Sequence, residues 1–216
     1  MLLHHVDSNS MWVEPLKNQK VPTLIAARMC ALEQMRRQGI VPKHQILDNQ
    51  CHGLMKQAIK ETTLSDGSIS KMTYEFVPPE EHQQNMAKKS IQTFKDHFVG
   101  VLSGCAKTMP MHLWCQLLPQ VERQLLLLRQ SRVNPGMLAY AHEYQGQHNY
   151  SKHPFVPIEM ESLVHVKPHK RRTYAQHCKK GFVIGTSFEH YRCQKIWMKD
   201  THGTCISGAV WFKPNT

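Results

Sequence analysis

The spacing of apolar and polar positions predicts an α/β arrangement in the first half of the chain. Residues 1–6 and 11–16 are predicted strands around the turn-forming segment 7–10, so they form a hairpin. A helix is predicted at 22–37, because apolar residues recur at helical spacing before Gly39, a residue that suits the end of a helix. The next predicted elements are a strand at 44–49, a helix at 51–61 and a strand at 72–77.

Two longer amphipathic helices are predicted in the middle of the chain. The first covers 80–102, and its apolar stripe consists of Ala87, Ile91, Phe94, Phe98 and Val101. The second covers 112–129, and its apolar face consists of Trp114, Leu117, Leu118, Val121, Leu125 and Leu128. Pro119 lies inside the second helix and is expected to kink it or to start a second segment.

The pattern changes after residue 130 and predicts a second, all-β region. Pro, Gly and polar residues punctuate 131–157, so this stretch is predicted to be an irregular connector. Short strands follow at 163–166, 181–185, 192–198 and 209–212. They predict a small β-barrel whose core contains Val164, Val183, Ile196 and Val210, with the ring of Trp211 buried near its rim. The predicted domains are 1–132 and 159–216, with a connector at 133–158.

The net charge of the chain is strongly positive. The chain has 27 Lys and Arg against 16 Asp and Glu, a net charge of +11, which favours nucleic acid but equally fits a solvated basic surface. No apolar run reaches the length of a membrane span and no signal peptide begins the chain, so we expect a nuclear or cytoplasmic protein that is neither secreted nor membrane-bound. The seven cysteines lack paired knuckles, which favours reduced thiols over a zinc site.

Three groups of residues are candidates for function. Asp48 follows a predicted strand, where a carboxylate could reach a metal or ligand or simply cap a turn. One face of the first long helix carries Lys88, Gln92 and Lys95, which could follow a phosphate backbone or be an ordinary solvated face. A basic cluster follows the first strand of the all-β region and could bind phosphates or only solubilise it; it consists of Lys167, Lys170, Arg171, Arg172, Lys179 and Lys180.

These stretches together resemble the integrase region of copia-type LTR retrotransposon polyproteins, within the retroviral-type integrase family. Leu47-Asp48-Asn49 resembles the second catalytic aspartate and its neighbours, and the segment 77–89 resembles the stretch that carries the catalytic glutamate. The segment 112–129 is similar to the Trp-bearing helix that follows, and 162–214 to the small SH3-like barrel after the integrase core. The resemblance implies a ribonuclease H-like mixed sheet with flanking helices. It also implies DNA integration by polynucleotidyl transfer, with Mg²⁺ or Mn²⁺ held by two Asp and one Glu.

The chain departs from that family at its catalytic residues. Asp48 alone matches, because Lys88 stands at the glutamate position and the strand with the first aspartate would precede Met1. An ammonium repels a divalent ion, so we expect no bound metal or other cofactor and an inactive integrase remnant with weak, non-specific DNA binding. The incomplete sheet leaves self-association open. Two alternatives stay open: a protein-interaction module that uses the barrel, and an active integrase or nuclease with Asp7, Glu80 or Glu81 as substitute acids.

Overall fold

The computed structural model describes residues 1–47, 62–63, 69–70, 73–76, 86–158 and 160–213. The chain divides into two compact units. The N-terminal unit comprises Met1–Lys95 and Gln124–Gly146, and the C-terminal unit comprises Asp96–Arg123 and Gln147–Thr216. The domain boundaries that the sequence predicts, at residues 132 and 158, describe domains that fold independently, and they stay predictions.

The described residues form a mixed α/β structure. Its helices are α1 (Val21–Arg37), α2 (Met86–Ser103), α3 (Trp114–Leu128) and α4 (Ala139–Tyr144). The first six strands are β1 (Leu2–His5), β2 (Ser10–Val13), β3 (His44–Leu47), β4 (Thr62–Thr63), β5 (Ile69–Ser70) and β6 (Thr73–Phe76). The others are β7 (Glu161–His165), β8 (Cys178–Thr186), β9 (Gln194–Met198), β10 (Thr204–Ser207) and β11 (Val210–Phe212). Single 3-10 turns lie at Met111–Leu113 and Pro168–Lys170.

The N-terminal unit confirms the predicted hairpin and first helix. β1 and β2 pair antiparallel with Leu3 opposite Trp12, and Trp12 packs with Leu32 and Met35 of α1 in a buried cluster. Gly39 adopts a φ of +79°, and the amide of Ile40 turns back to donate to the carbonyl of Met35 at 2.9 Å. This left-handed residue ends α1 in the way that the sequence predicts.

Two further strand pairs belong to the N-terminal unit. β3 and β6 pair in parallel, with His44 opposite Thr73, and β4 pairs antiparallel with β5. Among the described residues, β1–β2, β3–β6 and β4–β5 are separate pairs instead of one sheet. The predicted helix at 51–61 lies outside the described residues, as do the first residues of the predicted helix at 80–102.

The C-terminal unit contains a five-stranded antiparallel sheet in the order β10-β9-β8-β7-β11. Five flat strands would place the edges about 19 Å apart, at about 4.8 Å per strand. Only Gly208 and Ala209 join the edge strands β10 and β11, and three Cα–Cα steps reach at most about 11 Å. The sheet is therefore strongly curled, and a bulge between Val183 and Gly185 in β8 contributes to the bend.

The predicted barrel does not close among the described residues, because β10 and β11 share no ladder. The amide of Ala209, between these strands, donates at 3.2 Å to the hydroxyl of Ser207. A local bond of this kind competes with strand pairing.

The inner face of the curled sheet holds the predicted core. Val164, Ile196 and Met198 form a buried cluster, Val210 packs against it, and Val183 is fully buried. Gly181 faces the same core, where a Cβ atom would lie 2.6 Å from both Ile196 Cγ2 and the carbonyl oxygen of Trp197. The prediction for Trp211 is wrong: the side chain is 55% exposed, because it alternates with Val210 on an edge strand and points outward.

The outer face of the sheet contacts the 3-10 turn before α3, and α3 itself contacts a residue just after β8. Phe182 and Trp197 lie opposite each other in β8 and β9, on the face away from Val183, and both are buried. The ring of His112 lies 6.0 Å from the Trp197 ring, and the Arg123 guanidinium lies 3.8 Å from the centre of the Phe188 ring. A helical segment that the sequence assigned to the first domain therefore packs in the same unit as the sheet.

Gln120 joins this helix to two other segments. The side chain is 2% exposed; its Oε1 accepts from the amide of Thr186 at 2.6 Å, and its Nε2 donates to the carbonyl of Val156 at 3.0 Å. Gly185 leaves room for this contact, since a Cβ atom there would lie 3.1 Å from Gln120 Oε1. One side chain thus satisfies two backbone groups on different segments.

The long helices follow their predicted stripes with local differences. In α3, Leu117, Leu118, Val121 and Leu125 are buried as predicted, whereas Trp114 and Leu128 are exposed. The α3 helix is continuous across Pro119, which forgoes one backbone hydrogen bond. In α2, Phe94 is buried but Ile91 is 39% exposed, and Ser90 takes the buried position one turn before Phe94.

Replacing Gln120 by Met should lower the free energy of unfolding by about 1–3 kcal/mol, because it leaves the Thr186 amide and the Val156 carbonyl unpaired in a buried place. Urea denaturation measures this change. The matched control is Gln116→Met on the same helix, where the side chain is exposed and the change should be within about 0.5 kcal/mol. Equal effects of the two substitutions would contradict the role of Gln120.

Candidate nucleic-acid interface

The predicted catalytic acid lies outside the described residues. Strand β3 ends at Leu47, and Asp48 is the next residue of the chain. Among the residues that the structure describes, no three His, Cys, Asp or Glu side chains lie close enough to hold a metal ion.

The helical candidates Lys88, Gln92 and Lys95 are all exposed on α2. The buried residues of that helix, Ser90 and Phe94, lie on another face. The structure therefore brings the three predicted side chains to one solvent-facing side, as their spacing indicates.

The other basic cluster lies on a loop whose two ends are held together. β7 and β8 pair as far as His165 and Cys178, and the Val166 amide donates to the His177 carbonyl at 2.9 Å. All six predicted cations lie on this closed loop or on the first residues of β8. We call residues 167–180 the basic loop. It contains six Lys and Arg and no Asp or Glu.

The cations of the basic loop differ in their surroundings. Lys167, Arg172 and Lys180 are exposed, and among the described residues none of them forms an ion pair. Lys179 lies 3.5 Å from Asp200, a pair that is about half exposed and therefore weak. Arg171 is half-buried, and its Nη1 has no hydrogen-bond partner within the described part of the chain. For Lys170 the structure describes the backbone alone.

Tyr174 is a candidate residue that the sequence analysis missed. It lies in the middle of the basic loop, its side chain is fully exposed, and its φ of +67° is unusual for a bulky residue. An exposed ring between cations is the arrangement on which single-stranded bases stack. The signal in the sequence is one aromatic residue within an otherwise basic and polar run.

A second group of cations comes together in the N-terminal unit. Lys89 of α2 and Arg129 and Arg132, which follow α3, line a pocket of about 210 Å³. We call it the basic pocket; its other lining residues are Asn9, Met86, Ser90 and Thr93. No sequence pattern marks this group, because Lys89 lies 40 residues before Arg129 in the chain and folding brings them together.

The hairpin turn fixes one side of the basic pocket. Asn9 has a φ of +61°, its Nδ2 donates to the carbonyl of Gln130 at 2.9 Å, and its Oδ1 accepts from Arg129 Nη2. His4 Nε2 also lies 3.2 Å from Asn9 Oδ1. Burial lowers the pKa of His4, and the charges of Arg129 and Arg132 lower it further against the raising effect of the Asn9 contact. At neutral pH His4 is therefore uncharged.

A wider groove of about 620 Å³ lies elsewhere in the N-terminal unit. Consecutive residues 2–7 and 41–46 line it, so it follows the strands β1 and β3 and the residues next to them. Leu32 and Met35 also line it. The lining contains one lysine, Lys43, and one aspartate, Asp7. This lining is largely apolar and lacks the charge excess of the basic pocket.

The comparisons with known proteins leave the family open. No protein-family model matches the chain, and no curated protein matches its sequence. In the described part of the chain, every helix is too short or too polar to cross a bilayer.

Acidification should destabilise the protein through His4. Because its folded-state pKa is lowered from 6.5, the unfolded state binds more protons, so stability is complete above about pH 6.5 and is lost as pH falls towards the folded-state pKa. Burial lowers the pKa values of His5 and His148 in the same direction. Urea midpoints at pH 7.5 and 5.5 measure the loss, which should be smaller in His4→Gln. The control His169→Gln changes an exposed histidine, so the loss of stability should be as large as in the unchanged protein. A smaller loss in His169→Gln than in His4→Gln would contradict the role of His4.

Proposed function

We propose that the chain is an integrase-like remnant of a retrotransposon polyprotein that binds nucleic acid through the basic loop and does not catalyse strand transfer. The observation that carries the binding proposal is the basic loop itself: six cations and no acid in 14 consecutive residues, held on a closed loop around an exposed tyrosine. A cluster of this kind attracts phosphates and releases their counterions.

The surroundings of the basic loop favour a polyanion over a solvated surface. Between residues 160 and 213 the chain has ten Lys and Arg against three Asp and Glu. Two of those acids already form ion pairs with a lysine: Glu161 accepts from Lys199 at 3.1 Å, and Asp200 lies 3.5 Å from Lys179. The pKa of Glu161 is lowered mainly by its hydrogen bond to Lys199. The cations of the loop therefore have few carboxylates to neutralise them.

The order of elements supports the integrase-like part of the proposal. A hairpin, a helix, a parallel pair of strands and two long helices precede the curled sheet, as the resemblance implies. In that sheet the last strand returns beside the first, and a link of only two residues brings the two edges close together. This arrangement is one ladder short of a closed barrel, and the SH3-like assignment rests on it.

The absence of catalysis follows from the residues at the matched positions. Lys88 is exposed on α2 where the family has a metal-binding glutamate. An ammonium group cannot ligate Mg²⁺, whose preferred ligands are oxygens in octahedral order. Lys88 at the glutamate position therefore does not fit a two-metal centre beside Asp48.

Replacing Lys167, Arg172 and Lys180 together by Ala should weaken DNA binding of the full chain about tenfold or more. It should also lower the slope of log K against log salt by about two to three units, because each phosphate contact contributes about 0.9. Fluorescence anisotropy with a labelled duplex and a labelled single strand at several salt concentrations measures both quantities. The Tyr174→Ala variant should bind the single strand more weakly and the duplex with unchanged affinity, because stacking on the ring needs an unpaired base.

The matched control removes the same charge elsewhere in the C-terminal unit. Lys107, Lys152 and Lys213 are exposed and lie outside the basic loop. Their triple replacement by Ala should change affinity and salt slope much less. Equal losses in the two triple variants would show a general charge effect, and the basic loop would then be rejected as the binding site.

Magnesium should not stabilise the chain. A ligand that binds the folded state alone raises the melting temperature, so a protein without a metal centre shows no rise. At constant ionic strength, we expect equal melting temperatures with about 5 mM Mg²⁺ and without Mg²⁺. The Asp48→Asn variant should also melt at the same temperature in both buffers. A rise of several degrees that Asp48→Asn abolishes would overturn the proposed inactivity.

A further inference from the structure

The basic pocket collects hydrogen-bond donors from three parts of the N-terminal unit. Lys89, Ser90 and Thr93 come from the first turns of α2, Arg129 and Arg132 from the segment after α3, and Asn9 from the hairpin turn. Among the described residues, no carboxylate lines the pocket. Within the described part of the chain, neither arginine and no atom of Lys89 forms an ion pair.

The arginine donors of the pocket are only partly used. Arg129 donates to Asn9 Oδ1 and approaches the Met11 sulfur at 3.6 Å, and Arg132 Nη1 approaches the Met86 sulfur at 3.5 Å. Each guanidinium carries five N–H donors, and a thioether is a weak acceptor. The contacts therefore fix where the guanidinium groups lie while leaving most of their donors open.

Ser90 adds a hydroxyl to the lining of the pocket. The residue is 3% exposed and lies one residue after Lys89 on α2. A hydroxyl can donate a hydrogen bond to an anion beside the charged donors. A second hydroxyl in the lining, that of Thr93, donates to the carbonyl of Lys89 at 3.0 Å.

The cations of the pocket repel one another. Burial lowers the pKa of Arg129, and the nearby charge of Arg132 lowers it further. An anion between them would remove this repulsion, and guanidinium groups bind the oxygens of phosphate in a bidentate manner. The volume of about 210 Å³ lies below the range of about 300–1,000 Å³ typical of drug-sized ligands, so it suits a single anionic group.

We propose that the basic pocket binds a phosphate group, held by Lys89, Arg129, Arg132 and the hydroxyl of Ser90. The group is either one phosphate of a nucleic-acid backbone or the phosphate of a small molecule. The proposal does not depend on the basic loop, because the pocket lies in the other unit of the chain and consists of different residues.

The test measures thermal unfolding of the full chain in inorganic phosphate and in chloride at equal ionic strength. Phosphate at several times its dissociation constant should raise the melting temperature by about 2–4 °C over chloride. Lys89→Ala and Arg132→Gln should each weaken phosphate binding about tenfold, since each removes a charged donor. Ser90→Ala should weaken it several-fold, because it removes a hydroxyl that can donate to the phosphate.

Lys17→Ala is the matched control, since it removes one exposed charge of the N-terminal unit outside the pocket. It should keep the full phosphate effect. If Arg132→Gln fails to fold, Lys89→Ala still decides, because Lys89 is exposed on the helix surface. Equal melting temperatures in phosphate and chloride, or an undiminished phosphate effect in both Lys89→Ala and Ser90→Ala, would overturn the proposal.

Competition distinguishes the two sources of the phosphate group. A single-stranded oligonucleotide without terminal phosphates and a nucleoside monophosphate are each titrated against inorganic phosphate. Displacement by the oligonucleotide, lost in Lys89→Ala, assigns the pocket to a nucleic-acid backbone; displacement by the monophosphate alone assigns it to a small molecule. Both results support the pocket. The basic-loop variants separate the two proposals. If they lose DNA binding but keep phosphate binding, the result supports the proposed function and leaves the phosphate site unaffected.

Discussion

The buried amide of Gln120 is the contact on which the C-terminal unit depends. It holds the end of β8 at Thr186 and the segment at Val156 against α3. The ring of His112, in the 3-10 turn before this helix, lies against Trp197, and both Trp197 and Phe182 are buried on the outer face of the curled sheet. A five-stranded sheet of this size has too little interior to be stable on one face alone, so the helix contributes a second layer of core.

Strand β8 transmits this support to the basic loop. Its last residue, Thr186, is bound to Gln120, and its first residues, Cys178 to Lys180, pair with β7 where the loop closes. The loop therefore projects from a strand that is fixed at its far end and paired on both sides. Cations on such a base lose little conformational entropy when they contact phosphates, which favours binding of an extended polyanion.

In the N-terminal unit, a polar turn has the corresponding structural role. Asn9 adopts a left-handed conformation and bonds to Arg129 and to the carbonyl of Gln130. The amides of Arg132 and Val133 both donate to the carbonyl of Asp7, at 3.0 and 3.3 Å. These bonds hold the residues after α3 beside the hairpin, and this is what places two arginines next to Lys89 of α2. Each unit thus has one place where several cations lie together, the basic pocket in the N-terminal unit and the basic loop in the C-terminal unit.

Elements with a local signal are predictable from the sequence. The hairpin, α1 with its Gly39 end, the individual strands β3 and β6, the long helices and the inner core of the sheet follow from apolar spacing and turn residues, which act over a few positions. The parallel pairing of β3 with β6 does not follow from them. The exposure of Lys88, Gln92 and Lys95 and the clustering of the basic loop also follow from spacing alone. The integrase-like reading rests on motif order and stays a proposal.

Contacts between distant segments are visible in the folded structure alone. Residues far apart in the chain form the basic pocket, and Gln120 looks like any polar residue of an amphipathic helix until Thr186 and Val156 take both ends of its amide. Hydrophobicity predicts that Ile91 and Trp211 are buried, but both are exposed. Ser90 and Val210 take the inward positions, because the neighbouring elements set the rotation of the helix and the alternation of the strand. Long-range packing of this kind leaves no periodic trace in the sequence, since it depends on contacts between segments and not on the order of residues within one.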